Sequence, residues 1–352
     1  MAFKKQNRPT IQVNELSESA KVSLRTRIIS ALIALVVAIP SLLLGDWLFF
    51  ALILFFVLFG SYELIKCAKP KHKISLYVIS TIFIVVLTFL PLLRKVFDDG
   101  KTGWHLYTCF TSPYLSIAIV ALSFLALFWF VIADANFTVK DACFIFTIGI
   151  GVAIGLQSML FIRYIPIHEH FNLVNNTPIP DETYFSFFKN FESSALAFYI
   201  AIGTFMTDTG AFFIGILFGK NKINPRISPK KTWEGFFGGV VISCISSFLF
   251  AFILALCGHP ILKCFDLNHW YLILILSLII PIFATLGDFT FSSLKRVYEI
   301  KDFGNVLPGH GGILDRIDSL LFTAAASAIV ISIILYCVYP ETYSAIGGNP
   351  FI

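Results

Sequence analysis

The chain has 352 residues, of which 57% are hydrophobic and 13% charged, with a formal net charge of +5. An average soluble domain is about 45–50% apolar and about 25% charged. So little polar surface cannot cover a soluble globule, and a mean hydropathy of +0.83 agrees. An ordinary soluble enzyme and a disordered chain are excluded. Long apolar runs without alternation also speak against a transmembrane β-barrel. What remains is an all-α, polytopic integral membrane protein.

Residues 1–27 are polar and basic, and the apolar run after them has no small-residue cleavage site, so no cleavable signal peptide is expected. Crossing the hydrocarbon core takes about 20 apolar residues. Nine stretches qualify: 28–44, 47–65, 74–93, 114–133, 143–162, 195–218, 235–257, 270–287 and 317–338. Gly45-Asp46 marks a tight reversal between the first two. With the N-terminus inside, 20 of the 26 Lys and Arg fall in segments 1–27, 66–73, 134–142, 219–234 and 288–316. Basic residues favour the cytoplasmic side. The N-terminus is therefore expected in the cytoplasm and the C-terminus outside. The expected division is a basic segment 1–27, helices with an outer loop over 28–194, a catalytic transmembrane region over 195–338 and a tail over 339–352.

The outer loop near 163–194 carries His168-Glu169-His170, which lacks a further ligand and reads as a solvated loop rather than a metal site. Asn175-Asn176-Thr177 is a glycosylation sequon by pattern only. The seven cysteines show no CxxC and no metal-ligand spacing, and read as small buried hydrophobes. A pairing of Cys257 with Cys264 across one loop is the minor alternative.

Three places break the apolar pattern on the cytoplasmic side, all in the C-terminal half. The first is Asp208, inside the sixth span. A carboxylate at membrane depth costs about 2.5–3.5 kcal/mol. Threonine would serve helix packing at lower cost, so Asp208 points to function. The second is the loop 224–235, with Ser228, Lys230, Lys231 and Thr232 between two prolines and a run of glycines. Lysines, hydroxyls and glycines at a helix start suit a phosphate chain. A positive-inside anchor fits as well.

The third runs from Gly287 to Ser319. It holds Asp288, Asp302, Asp315 and Asp318 as candidate metal ligands, and Lys295, Arg296, Lys301 and Arg316 as cations. Its turn 308–312, with His310, Gly311 and Gly312, can aim backbone N–H groups at an anion. Carboxylates for Mg²⁺, cations for phosphate charge and glycines for close backbone approach are what phosphoryl or nucleotidyl transfer requires. No hydrolytic triad is indicated, because His310 sits between glycines and no nucleophilic serine is marked.

The run Ser292-x-Leu294-Lys295-Arg296-x4-Lys301-Asp302-x-Gly304-x2-Leu307-Pro308-x-His310-Gly311-Gly312-Ile313-x-Asp315-Arg316-Ile317-Asp318 resembles the signature of phosphatidate cytidylyltransferases, also called CDP-diacylglycerol synthases. Every fixed position is matched over 27 residues. Asp208-Thr209-Gly210-Ala211-Phe212 and the segment from Ser228 to Gly235 are similar to family elements, with Phe212 where Tyr is common. The resemblance covers 195–338 well, and the N-terminal half mainly in hydropathy.

It implies the reaction CTP + phosphatidate → CDP-diacylglycerol + pyrophosphate, dependent on Mg²⁺, with K⁺ as an optional second ion. It makes Asp288 and Asp315 the principal metal ligands, with Asp318, Asp208, Lys231 and Asp302 supporting the site. The implied partners are CTP, phosphatidate, the bilayer and a second copy in a homodimer, with no nucleic acid. Phosphatidate already carries an anionic oxygen, so it needs charge neutralisation more than a general base. Lys230, Lys231, Lys295 and Arg296 suit that role, though their division between the phosphates stays open. His310 either donates to a phosphate or fits the turn.

A transferase for an ether lipid, a CTP-dependent polyprenol kinase and a transporter are the competing readings. The full signature argues against the kinase. Polar groups at one face, without a second copy, argue against the transporter. The membrane is read as a bacterial plasma membrane with the site on its cytoplasmic side, and an organelle membrane of the same topology reads alike.

Overall fold

Each expected span corresponds to a helix in the structure, a computed structural model that describes residues 18–68, 73–96, 113–173, 187–262, 264–307, 309 and 311–338. The helices are α1 (Glu18–Leu44), α2 (Asp46–Ala68), α3 (Lys73–Val96), α4 (Pro113–Ala133) and α5 (Val139–Leu173). They continue with α6 (Phe187–Phe218), α7 (Trp233–Leu256), α8 (Trp270–Val297) and α9 (Leu314–Val338). Eight are long and apolar enough to cross a membrane, and Ile74–Leu90 of α3 is a shorter apolar helix. Exposed Leu32, Val36, Ile245 and Ile253 belong against lipid rather than water. The fold is all-α and polytopic.

The helices alternate in direction, so their ends sort into two layers. At one end, Tyr298 after α8 donates to Asp141 Oδ1 on the first turn of α5 at 3.2 Å. There too Arg296 reaches the Ile227 carbonyl at 3.2 Å, and Gly309 abuts Arg27 of α1. At the other end, Arg163 of α5 donates to the last carbonyls of α1, Leu42 at 2.7 Å and Leu43 at 3.3 Å. Gly45 makes the reversal there, with φ of 68°.

The second half of the bundle is tied by small and polar residues, which hold helices together where lipid removes the hydrophobic drive. A Cβ on Gly239 would lie 2.7 Å from the Thr207 carbonyl, and one on Gly235 would lie 2.8 Å from that of Ala211. The backbones of α6 and α7 therefore touch. Ser243 donates to the Gly203 carbonyl at 2.6 Å, Tyr199 meets Ser277 at 2.7 Å, and Thr204 donates to Thr323 at 3.0 Å.

Four features differ from the sequence reading. Helix α1 begins at Glu18 rather than 28, α5 runs on to Leu173, and α6 starts at Phe187. The ladder of backbone bonds does not need apolar side chains, so a helix outlasts the span it contains. His168-Glu169-His170 therefore lies in a helix, while the sequon 175–177 and the tail 339–352 lie outside the described residues. The basic loop after α6 is a hairpin of β1 (Lys222–Asn224) and β2 (Ser228–Thr232), antiparallel, with Lys222 opposite Thr232. Cys257 and Cys264 are both free.

Candidate active site

The end of the bundle that carries the hairpin and the 298–313 loop also gathers the carboxylates and lysines. Helix α7 starts cleanly because Thr232, extended at φ −123°, caps it, its hydroxyl accepting the Gly235 N–H at 3.2 Å. Glu234 then accepts from the Lys220 and Asn221 amides at 3.1 Å, closing the base of the hairpin. This fixes β2 at one edge of the site.

From β2, Lys231 forms an ion pair with Asp288 on α8, and its Nζ stands 4.3 Å from the Phe289 ring centre. Asp288 also accepts from Ser292, one turn on, at 3.1 Å. Helix α8 approaches α9 closely here, since a Cβ on Gly287 would lie 2.7 Å from the Asp318 carbonyl. Asp208 of α6 is within electrostatic reach of Asp288 and Lys231, and Asp318 of Asp288, Lys295 and Asp208. Three helices thus bring Asp208, Asp288 and Asp318 within electrostatic reach of one another, with Lys231 beside the first two and Lys295 near the third.

Asp315 is held differently. Its Oδ1 accepts from Lys295 at 2.8 Å, and its Oδ2 from the amides of Phe303 at 2.8 Å and Gly312 at 3.1 Å. The pair is well buried, with 13% of the Lys295 and 4% of the Asp315 side chain exposed. The turn between is a narrow loop in which Leu307 and Gly311 exchange backbone bonds of 3.0 and 3.2 Å. Gly309 and Gly311 take φ of 76° and 89°, which only glycine adopts freely. Asp302 stands beside Gly311, as does Asp315. Lys230, Arg296, Lys301, Asp302 and Arg316 are exposed around this rim, and Ser228 is half-buried on β2. His310 lies outside the described residues, as does Pro308.

Among the described residues no three His, Cys, Asp or Glu stand at metal-ligand spacing. Mg²⁺ does not require that: it takes one or two carboxylates and completes its shell with water and substrate phosphate. Asp288, partly exposed with Asp208 and Asp318 beside it, is a fitting donor set. Asp315 already accepts three hydrogen bonds.

One residue of this end was missed by the sequence reading. Glu63, on α2 and fully buried, accepts the Ile313 N–H on Oε1 and the Leu314 N–H on Oε2, both at 2.9 Å. It is a fourth break in the apolar pattern, and it lies in the N-terminal half. Its signal was a lone carboxylate inside the apolar stretch 47–65. Its partners are backbone groups and leave no mark in the sequence.

Residues 25–334 match the model of the Cytidylyltransferase family. The phosphatidate cytidylyltransferase of Staphylococcus haemolyticus (strain JCSC1435) is 30% identical over 301 residues, covering 85% of this chain and 95% of that protein. That of Bacillus subtilis (strain 168) is 44% identical over 141 residues, 40% of this chain and 49% of that protein. That of Staphylococcus epidermidis (strain ATCC 12228 / FDA PCI 1200) is 29% identical over 301 residues, with shares of 85% and 95%. With cations and carboxylates assembled at one bundle end, and a match that spans nearly the whole chain, this protein belongs to the Cytidylyltransferase family.

Proposed function

We propose that this chain is a phosphatidate cytidylyltransferase, forming CDP-diacylglycerol and pyrophosphate from CTP and phosphatidate. The observation that supports the reading is the two ion pairs Lys231–Asp288 and Lys295–Asp315, which tie the hairpin to α8 and α8 to α9 at one end of the bundle. The relatives that match 85% of the chain bear that name.

A phosphate oxygen of phosphatidate attacks the α-phosphorus of CTP. The new O–P bond forms as the bond to the β-phosphate oxygen breaks, and pyrophosphate leaves with that electron pair. The lipid oxygen is already an anion, so no base is called for. What the site must supply is an in-line approach between two anions and relief of their repulsion. Lys230, Lys231, Lys295 and Arg296 supply positive charge, with Lys301 and Arg316 at the rim. Ser228 on β2 offers a hydroxyl to the phosphates, whereas the Gly311 and Gly312 amides are taken by Leu307 and Asp315 and the Thr232 hydroxyl caps α7, so these three shape the approach rather than bind in it. Asp302 is exposed and, like Asp315, stands beside Gly311, adding a supporting carboxylate at the rim. His310 is assigned by sequence position alone, either as a donor to a phosphate or as part of the turn.

Asp288 would hold Mg²⁺ with Asp318 and Asp208 near it, Asp315 would join them only by giving up one of the three hydrogen bonds it accepts, and K⁺ would be an optional neighbour. Bound there, Mg²⁺ supplies charge neutralisation at the phosphates. The site faces the cytoplasm of a bacterial plasma membrane in this reading, where CTP arrives from water and the acyl chains stay in lipid. The lipid-exposed faces leave room for a homodimer.

The test is pyrophosphate release by purified protein in detergent. Release that needs both CTP and phosphatidate supports the reading. CTP-dependent transfer to a polyprenol or an ether lipid, without transfer to phosphatidate, replaces it.

A further inference from the structure

The proposed site residues all come from the C-terminal half, yet the start of α9 is held from the other half of the molecule. Glu63 is fully buried, and its two oxygens take the amide of Ile313, the residue just before α9, and that of Leu314, the first of the helix. Those amides have no partner within the helix, and the positive end of the helix dipole favours the carboxylate. The fit is tight on the other side too. A Cβ on Gly312 would lie 2.6 Å from both Glu63 oxygens, and one on Gly304 would overlap Oε1. Glu63 thus touches the signature loop near both of its ends.

The same few residues carry the site. Gly312 donates its amide to Asp315, Phe303 next to Gly304 donates another, and Asp315 in turn holds Lys295. Asp318 follows one turn later on α9. A displaced Glu63 would shift the loop, Asp315 and Asp318 together relative to Asp288. A buried carboxylate is costly where its only task is to fill space. A leucine would pack there without charge, and it could not take two amides.

We propose that Glu63 is a positioning residue for cytidylyl transfer: it anchors the start of α9 and the glycine turn, and so sets where Asp315, Lys295 and Asp318 stand. The inference rests on the function proposed above, and deepens it by assigning the N-terminal half a part in the site.

The experiment compares the parent with Glu63→Gln and Glu63→Ala, each as full chain in detergent and scored per folded enzyme. Glu63→Gln keeps the shape but offers one acceptor where two are needed. Expected is a fall in kcat of about tenfold for Glu63→Gln and about 10²-fold for Glu63→Ala, with KM for phosphatidate little changed. Half-saturating Mg²⁺ should rise about tenfold. In the same samples, amide exchange over residues 303–316 should quicken about tenfold while α7 stays as in the parent.

A purely structural role would lower thermal stability and quicken exchange throughout, leaving kcat per folded enzyme alone. That result overturns the proposal, as does a folded Glu63→Ala with parental kcat and exchange, or failure of both variants to fold. Parental activity in this assay tests the reaction. If the parent makes no CDP-diacylglycerol, the local exchange of 303–316 still decides the role of Glu63.

Discussion

Lys231 on the hairpin and Asp288 on α8 form an ion pair across the rim of the site, and Lys231 also stands over the Phe289 ring. The adjacent Lys230 is exposed on the same strand. Two neighbouring lysines therefore have unequal parts, one tied into the carboxylate cluster and one free to meet substrate from water. Lys231→Met should lower kcat/KM by about 10²-fold, the usual effect of losing one preorganised charge. Lys230→Met should act mainly through KM. Steady-state kinetics of the two variants check this, and equal effects would show that the pair with Asp288 is incidental.

Lys295 and Asp315 form the buried counterpart of that pair. Removing one partner of a buried pair leaves an uncompensated charge and costs about 3–5 kcal/mol. Lys295→Met and Asp315→Asn should each lower the thermal unfolding temperature in detergent. The double variant should lose less than the two single losses added together. Additive losses would mean that the two residues do not act on each other.

The α6–α7 crossing predicts a contrast between two glycines. Gly239→Val would press a side chain into the Thr207 carbonyl, and overpacking of this kind costs about 1–3 kcal/mol. It should also disturb Asp208, one residue on from Thr207, and so reduce activity. Gly151 on α5 faces open space, with nothing within 4 Å of where a methyl group would sit. Gly151→Ala should leave activity unchanged and stabilise by about 0.5–1 kcal/mol. Thermal scans and activity of both variants test the pair of expectations.

Asp266 gives a pH dependence outside the spans. Burial pulls its carboxyl up, but the ring and amide of His269 bond to it and outweigh that, leaving it below the usual carboxylate range. The ring nitrogen lies 2.6 Å and the amide 2.9 Å from Asp266 Oδ1. A depressed value in the folded state gives stability that is present above the ordinary carboxylate value, about 3.9, and is lost as pH falls through the folded one. The parent should therefore melt above Asp266→Asn at pH 7, and the gap should close below about pH 4. A gap that persists into acid would contradict this origin.

The spans and the composition of the site were legible because both are written in side chains. Nine apolar stretches mark the nine long helices among the described residues, Gly45 marks the first reversal, Asp208 and Asp288 are charges within apolar helices, and Lys231 stands in the basic segment between two of them. What escaped is written in the backbone. The hairpin at 222–232 has too few residues for an alternating pattern, and Pro229 within it argues against a strand. The overrun of α5 to Leu173 depends on a bond ladder indifferent to polarity. Glu63 bonds to amides 250 and 251 residues away, a relation that no local motif encodes.

The central claim is cytidylyl transfer to phosphatidate at the bundle end built around Asp288. The most direct measurement follows radiolabelled CTP into the lipid phase with purified parent and with Asp288→Asn, each verified as folded, in the presence of phosphatidate and Mg²⁺. The account predicts labelled CDP-diacylglycerol with equimolar pyrophosphate from the parent, and a loss of about 10²-fold or more in the variant. A folded parent that transfers no label, or an Asp288→Asn chain as active as the parent, would contradict it.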